Sequence, residues 1–289
     1  MEVFMIKNTN FKKVLWVLIP IAAIITAFYA QNSLKNRVKN SVQAFVAQGS
    51  NVAQEWQNKL KKEHVVVLEN VRKAFSVDEN IWQSALQQFQ EITQKDDLLL
   101  APSQKTYKKT KDTLANRIKE TLFNAGINPD KVTIIYTNNT GCPLGAMQEF
   151  TDNDTRLTHA IDLNKKWFLA KPQEIQQAIL AHEIMHLKQY DSIESAFILD
   201  ALTRSGFTQQ DYNASPAVHA YRQHRELRAD LLAGATDMAI AQGLQKDFEA
   251  YIPNQYKEDL TTHPSSSTRL EKMNELISYL DTEKQLKLA

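Results

Sequence analysis

Two histidines flank a glutamate in the stretch Ile179 to Asp191, which reads ILAHEIMHLKQYD. His182 and His186 stand four residues apart, and Glu183 follows the first of them. Residues four apart on a helix share a face, so both imidazoles can reach one metal ion. A helix turns by about 100° per residue, which places Glu183 beside that ion, where its carboxylate could act as a base on water. The spacing predicts a hydrolytic zinc centre.

Such a centre needs a third protein ligand and one position left open. One known continuation has Gly and a third His three and six residues after the second His, but Gln189 and Ser192 occupy those positions. A carboxylate on a later helix is the other option, and HRELRADLLAG provides Glu226. Asp230 lies four residues further on the same helical face, where it could accept a proton from a ligand histidine and fix its orientation.

Two alternatives stay open for this ligand. Glu226 could be a solvent-facing acid that pairs with Arg222 or Arg225, which are close in sequence. His219 and His224 could ligate a metal in its place, although no second motif supports either of them. The sequence favours Glu226 as the third ligand.

A third motif, THPSSSTRLEKM, places His263 before Pro264 at the start of a predicted helix, with Arg269 six residues later. A His-Pro pair in a loop is more commonly structural than catalytic. Beside a zinc site, however, His263 could donate a hydrogen bond to the substrate carbonyl or to the oxyanion that develops from it.

The three motifs together resemble those of the HtpX-like and CAAX-prenyl-protease-like gluzincin zinc metallopeptidases, which read HExxH, ExxAD and HPxxxxR in this order. The similarity covers about residues 112–280. It implies that one Zn²⁺ per chain is held by His182, His186 and Glu226, with Glu183 as the general base.

The same resemblance implies that Asp230 supports a ligand histidine, that His263 assists the transition state and that Arg269 holds the site together by ion pairing. The segment TGCPLGAMQEF departs from the stretch that family members commonly have before their substrate-binding strand. Multi-spanning members enclose the site in a membrane chamber, whereas this chain has one spanning candidate. The single-anchor or periplasmic branch is therefore the closer analogue, and a prenylated substrate is not expected.

The elements that position these residues are expected to be mainly α-helical with a small β-sheet, an α+β zincin-like fold. The chain has 289 residues, 43% of them hydrophobic, with only 7 glycines and 8 prolines, a composition that favours helices. Strands are predicted at KVTIIYT, after the turn AGINPD, and at LTHAIDLN from Leu157 to Asn164, separated by an irregular NNTGCPLG. The edge near Leu157 to Asn164 is where a substrate strand is expected to add.

No charged residue occurs from Val14 to Leu34, which predicts a transmembrane anchor or, alternatively, a signal segment. The chain then divides into a tail at 1–13, the anchor at 14–34, a helical juxtamembrane region at 35–111 and a zinc metallopeptidase domain at 112–289. Apolar residues at helical spacing within 35–111 support the helical assignment. The metallopeptidase domain is expected on the extracytoplasmic side, which is the periplasm in a bacterium.

Charge and cysteine content exclude other classes. The formal net charge is +1, and no P-loop or dinucleotide motif is present, so nucleic acid is not an expected partner. Cys142 is the only cysteine, which rules out an intramolecular disulfide. The sequence therefore predicts a membrane-anchored zinc endopeptidase that hydrolyses protein substrates with zinc-activated water. The alternative is a tethered chaperone-like or peptide-binding module with little turnover, and the oligomeric state is left open.

Overall fold

A computed structural model of the chain describes residues 54–99, 113–138, 144–151, 156–252 and 260–286. These residues lie in one compact unit, Val52–Ala289. The predicted tail at 1–13, the predicted anchor at 14–34 and Cys142 fall outside the described residues. No helix in the described ranges combines the length and apolar character that a membrane span requires.

The described residues form ten helices and three strands, so the expectation of a mainly α-helical fold with a small sheet is confirmed. The helices are α1 (54–74), α2 (Glu79–Lys95), α3 (Leu114–Asn124), α4 (Lys165–Leu169), α5 (Gln173–Gln189), α6 (Asp191–Arg204), α7 (Gln209–Ala214), α8 (Pro216–Thr236), α9 (Met238–Tyr251) and α10 (Ser266–Leu286). Several begin at short polar side chains that accept a backbone N–H, as helix N-caps do: Asp78, Thr113, Asn164, Thr208 and Asp237.

The strands are β1 (Val132–Thr137), β2 (Leu144–Phe150) and β3 (Leu157–Asn164), in the spatial order β1-β3-β2. β3 runs parallel to β1 and antiparallel to β2. β1 and β3 confirm the two predicted strands.

The prediction that substrate adds along Leu157 to Asn164 is wrong, because β3 is the central strand and both of its edges are paired. A strand that hydrogen-bonds on both sides has no free backbone edge to offer. Within the described residues β1 and β2 are the two edge strands, and β2 begins at Leu144 and Gly145, which the sequence placed in an irregular segment. The sequence analysis did not predict β2, since Gly141 and Pro143 just before it indicated an irregular segment.

Three apolar clusters form the core. One joins the sheet to α3 and α5, a second joins α5 to α8, α9 and α10, and a third joins α1 and α2 to α6 and α8. α5 contributes to the first two clusters, so it is buried on more than one face, as expected of a helix whose apolar residues do not form a single stripe. α1 contributes Leu60 to the second cluster and Leu68 and Val71 to the third. The compact unit therefore includes α1 and α2, and the predicted boundary at 112 falls inside it.

Two features fix the position of α5 relative to its neighbours, a tight turn into α6 and a close contact with α9. α5 ends at Gln189 and α6 begins at Asp191, with only Tyr190 between them in the left-handed conformation (φ 56°, ψ 37°). α9 crosses α5 at Gly243, where an added Cβ would lie 2.7 Å from the Ala178 Cβ and 2.7 Å from the Glu174 carbonyl oxygen. Only glycine allows the two backbones to approach this closely.

Candidate metal centre

α5 and α8 bring two imidazoles and one carboxylate together. His182 Nε2 lies 3.0 Å from His186 Nε2, as expected for residues four apart on one helix. From α8, Glu226 Oε2 lies 3.3 Å from His182 Nε2, and Glu226 Oε1 lies 3.5 Å from His186 Nε2. One ligand atom from each residue falls within 4.8 Å of the others, a spacing that a single metal ion could bridge.

The other ring nitrogen of each histidine faces an aspartate. His182 Nδ1 lies 2.7 Å from Asp230 Oδ1 on α8, and His186 Nδ1 lies 2.6 Å from Asp191 Oδ2 at the start of α6. Both aspartates are buried. In the neutral rings, this arrangement puts the proton on Nδ1 and turns the Nε2 lone pairs toward Glu226, which is the orientation a metal ligand needs.

Sequence reasoning singled out Asp230 but missed Asp191. Asp191 is five residues from His186, a spacing that does not share a helical face, and it reaches the ring only because the chain reverses at Tyr190. Tyr190 is neither Gly nor Asn, so the sequence carries no ordinary signal for a left-handed residue there.

Each aspartate is also held by arginine. Arg269 on α10 donates from Nε and Nη2 to the two oxygens of Asp230, both at 2.7 Å. Arg228 donates to Asp191 Oδ1, and Arg225 Nε lies 3.8 Å from Asp191 Oδ2. Burial alone would raise the pKa of both aspartates, but the adjacent guanidinium groups and the ligand histidines lower the pKa of each below its ordinary value.

The neighbouring carboxylates in turn raise the pKa of both imidazoles. Burial would lower the pKa of His182, but the charge of Asp230 and hydrogen bonds to Asp230 and Glu226 raise it to about 9. Burial likewise opposes protonation of His186, but Glu226 and Asp191 raise its pKa to about 10. The pKa of Glu226 is held well below its ordinary value despite burial, chiefly by His186 and His182. The cluster therefore attracts positive charge to the point where the three ligand atoms meet.

Glu183 lies next to this point on α5 and is partly buried. Its Oε2 accepts a hydrogen bond of 2.8 Å from the backbone N–H of Ala146 on β2. The same N–H cannot also pair with β3, so Ala146 directs its backbone groups to the free edge of β2. The contact places the Glu183 carboxylate between the ligand helix and the edge strand.

His263 stands on the open side of the cluster, in the turn before α10. Its Nε2 lies 3.3 Å from Glu226 Oε2, and its Nδ1 lies 2.7 Å from Thr262 Oγ1. The side chain is 49% exposed, whereas that of Glu226 is 13% exposed. His263 is thus the member of the group that a molecule arriving from solvent would meet first.

The alternative ligands and partners lie elsewhere. His219 Nε2 contacts the Asn213 carbonyl oxygen at 2.7 Å, and His224 stacks on His64 with ring centroids 5.4 Å apart. Arg222 donates to Asn213, and Arg225 to Ser195. The contacts of Glu226 described above are therefore with the two histidines of α5 and with His263, and not with the arginines that the sequence offered.

This donor set fits zinc by its chemistry, since two imidazole Nε2 atoms and a carboxylate are common zinc ligands. Comparison with protein families matches residues 168–277 to the model of Peptidase family M48. The matched segment contains all seven residues singled out from the sequence: His182, Glu183, His186, Glu226, Asp230, His263 and Arg269. Comparison with curated proteins and with solved structures gives no match. The family match supports a metallopeptidase hydrolase.

Proposed function

We propose that this chain is a membrane-anchored zinc endopeptidase of the gluzincin type, from the HtpX-like and CAAX-prenyl-protease-like group in its single-anchor or periplasmic branch. The observation that carries the proposal is the convergence of His182, His186 and Glu226 beside Glu183. Its substrates are proteins, and the bond it breaks is the peptide bond. The similarity of residues 168–277 to Peptidase family M48 supports the same activity.

The chain's own residues supply the acid and base steps. Zinc, when bound, acts as a Lewis acid that polarises the substrate carbonyl and lowers the pKa of water. Glu183 takes a proton from the attacking water and delivers it to the leaving amine nitrogen. The Ala146 N–H fixes Glu183 Oε2 and so leaves Oε1 to carry the proton. His263 donates a hydrogen bond to the oxygen on which negative charge develops.

The substrate adds as a strand to the free edge of β2, in place of the edge first predicted. In the antiparallel β2-β3 pair, Thr151 donates to Arg156 across the ladder, so odd-numbered residues of β2 pair with β3. Ala146 and Gln148 then direct their backbone groups away from β3. Main-chain pairing of this kind gives affinity without strong sequence selectivity.

The N-terminal segment sets the location in this proposal. Residues 14–34 contain no charged side chain and are long enough to anchor the chain in a lipid bilayer. The metallopeptidase domain then works in the extracytoplasmic compartment, which is the periplasm in a bacterium.

The test uses the full chain and three variants, with bound zinc measured by elemental analysis and proteolysis measured on casein. We expect about one zinc per chain. Glu226→Ala should lose the metal, because two imidazoles alone hold it weakly. Glu183→Gln should keep the metal but lose about 10² to 10⁴ in rate, the usual contribution of a general base. Glu249→Gln, an exposed acid on α9, is the matched control and should change neither quantity.

Full turnover by Glu183→Gln would show that the base lies elsewhere. Unchanged zinc in Glu226→Ala would move the third ligand to another residue. A folded wild-type chain that takes up no zinc, and still binds peptide, would favour the tethered chaperone-like module over the enzyme.

A further inference from the structure

α1 carries a histidine into the interior next to the metal centre. The His64 side chain is 8% exposed, whereas its neighbours Val65 and Val66 are each 60% exposed. His64 Nε2 lies 2.9 Å from Glu194 Oε1 and 3.0 Å from Oε2. The ring is therefore aimed at a buried carboxylate on α6, and Nε2 is the atom that donates to it.

Glu194 would otherwise be a costly group to bury. Besides His64, it accepts a hydrogen bond of 2.9 Å from the Tyr221 hydroxyl on α8. Burial raises the pKa of Glu194, but the bond from His64 and the charge of Arg228 lower it below its ordinary value. His224, stacked on His64, adds no positive charge at neutral pH, because burial and the nearby His64 and Arg228 lower its pKa to about 4.

Glu194 and Asp191 lie on the first turn of α6, and one arginine of α8, Arg228, acts on both. Arg228 donates to Asp191, and its charge also acts on Glu194. Within the described residues, Arg228 Nε is buried without a hydrogen-bond partner. Arg228 could therefore turn toward Glu194 if that carboxylate lost another donor, and it would then hold Asp191 less firmly.

We propose that His64 is a positioning residue for the metal centre. Because His64 donates a hydrogen bond to Glu194, Arg228 remains hydrogen-bonded to Asp191. Asp191 in turn holds the His186 ring in place. The path runs from His64 on α1 to Glu194 on α6 at 2.9 Å, through Arg228 on α8 to Asp191, and from Asp191 to His186 Nδ1 on α5 at 2.6 Å. α1 thereby belongs to the support of the proposed metal site. This inference rests on the proposed zinc site.

The test compares His64→Ala with His64→Gln in the full chain. Glutamine places an N–H donor close to where His64 Nε2 stands, so it should restore the bond to Glu194, whereas alanine removes it. Val65→Ala, an exposed neighbour on the same helix, is the control. Zinc affinity is measured by competition with a chelator, and the melting temperature is measured with and without saturating zinc.

We expect His64→Ala to weaken zinc binding by roughly 3- to 10-fold, below the 10- to 100-fold typical of a residue that contacts a ligand directly. The rise in melting temperature caused by zinc should shrink in the same variant, because that rise depends on affinity. His64→Gln and Val65→Ala should match the wild type. Asp191→Ala, which contacts His186, should weaken zinc binding more than His64→Ala does.

A purely structural role for His64 predicts a different result. The melting temperature of His64→Ala would then fall equally with and without zinc, zinc affinity would stay that of the wild type, and the inference would be overturned. If His64→Ala does not fold, His64→Asn takes its place, because its shorter amide does not reach Glu194. A folded wild-type chain that binds no zinc would instead overturn the proposed function itself.

Discussion

At the scale of single residues, a metal ion bound at the proposed site would compete with protons for two imidazole nitrogens, His182 Nε2 and His186 Nε2. Asp230, Asp191 and Glu226 surround the imidazoles of His182 and His186 with negative charge. That charge favours any cation at the Nε2 atoms, whether it is a proton or zinc. Metal uptake must therefore displace protons, and its apparent affinity must depend on pH.

The pKa values predict how many protons leave. The neighbouring carboxylates raise the pKa of His182 to about 9 and that of His186 to about 10, and the two Nε2 atoms lie 3.0 Å apart, so the pair holds at least one proton more than two neutral rings at about pH 7.5 in the metal-free protein. Zinc binding should then release at least about one proton per ion, measured with an indicator dye in weak buffer. Asp230→Asn, which removes a charge that raises the pKa of His182, should release fewer.

The stability of the metal-free protein supplies an independent check. A histidine whose pKa is raised by folding stabilises the fold below about pH 6.5, and that contribution is lost as pH rises through the folded pKa values. Stability should thus fall between about pH 6.5 and the folded values near 9 and 10, and saturating zinc should abolish this loss. For the proton-release measurement, a value of only about 0.2 protons per zinc would contradict the prediction, because that is what two imidazoles of ordinary pKa release at pH 7.5.

Residue types and spacing were sufficient to propose His182, Glu183, His186 and Glu226, because a helix converts a spacing of four into a shared face. Asp191 and His64 could not be found in this way. The contact of Asp191 with His186 depends on a left-handed turn at Tyr190, and the contact of His64 with Glu194 depends on which face of α1 packs inward. Both depend on tertiary structure that a single sequence does not encode as a pattern.

At the scale of elements, close packing of α9 against α5 fixes the position of α5, the helix that carries His182 and His186. The methyl group of Gly243→Ala would meet the Glu174 carbonyl and the Ala178 Cβ, both at 2.7 Å. Neither can move without shifting the backbone of α5 or α9. We expect a loss of about 1–3 kcal/mol in the free energy of unfolding, the usual cost of overpacking, measured by denaturant titration.

Two variants calibrate this prediction. Gly234→Ala on α8 would meet only the side-chain ends of Leu276 and Met273, at 2.9 and 3.1 Å, so it should cost less. Gln242→Ala alters an exposed position on α9 and should be nearly neutral. If Gly243→Ala were as stable as the wild type, α9 would not be packed on α5 as closely as described.

The sheet shows which part of an element can be predicted locally. The apolar residues Leu157, Ile161 and Leu163 alternate with others along LTHAIDLN, so β3 could be predicted from the sequence, and the alternating burial of the strand agrees with that pattern. Its central place in the sheet did not, because strand order depends on pairings between distant segments. β2 was not predicted, because its first residues Leu144 and Gly145 follow Gly141 and Pro143 and were assigned to an irregular segment, and the substrate edge was consequently assigned to the wrong strand.

At the scale of the whole molecule, α1 and α2 complete the third apolar cluster. Val71 is fully buried and Trp82 is 2% exposed. A fragment of residues 112–289 would lose both helices and expose the faces of α6 and α8 that they cover. Each large apolar side chain contributes about 1.5–3 kcal/mol on burial, so losing several of them is comparable to the total stability of a domain, about 5–15 kcal/mol.

We therefore expect fragment 112–289 to lack a cooperative unfolding transition, as followed by circular dichroism, and fragment 52–289, which spans the compact unit, to retain one. Equal transitions for the two fragments would show that α1 and α2 are dispensable. The sequence predicted both helices from their apolar stripes but not where they pack, because a stripe identifies a buried face and not the surface that covers it. The anchor at 14–34 stays a prediction.

The turn at Tyr190 also bears on the order in which the metal centre assembles during synthesis. Asp191 follows His186 by five residues, whereas Asp230 follows His182 by 48. Contacts between close segments form early, distant ones wait for longer loops to close, and the N-terminal part of a chain leaves the ribosome first. The helix pair around Tyr190 can thus orient one imidazole before α8 has been made. A nascent chain stalled before Glu226 would hold only two of the three proposed ligands, so metal capture would follow the synthesis of α8.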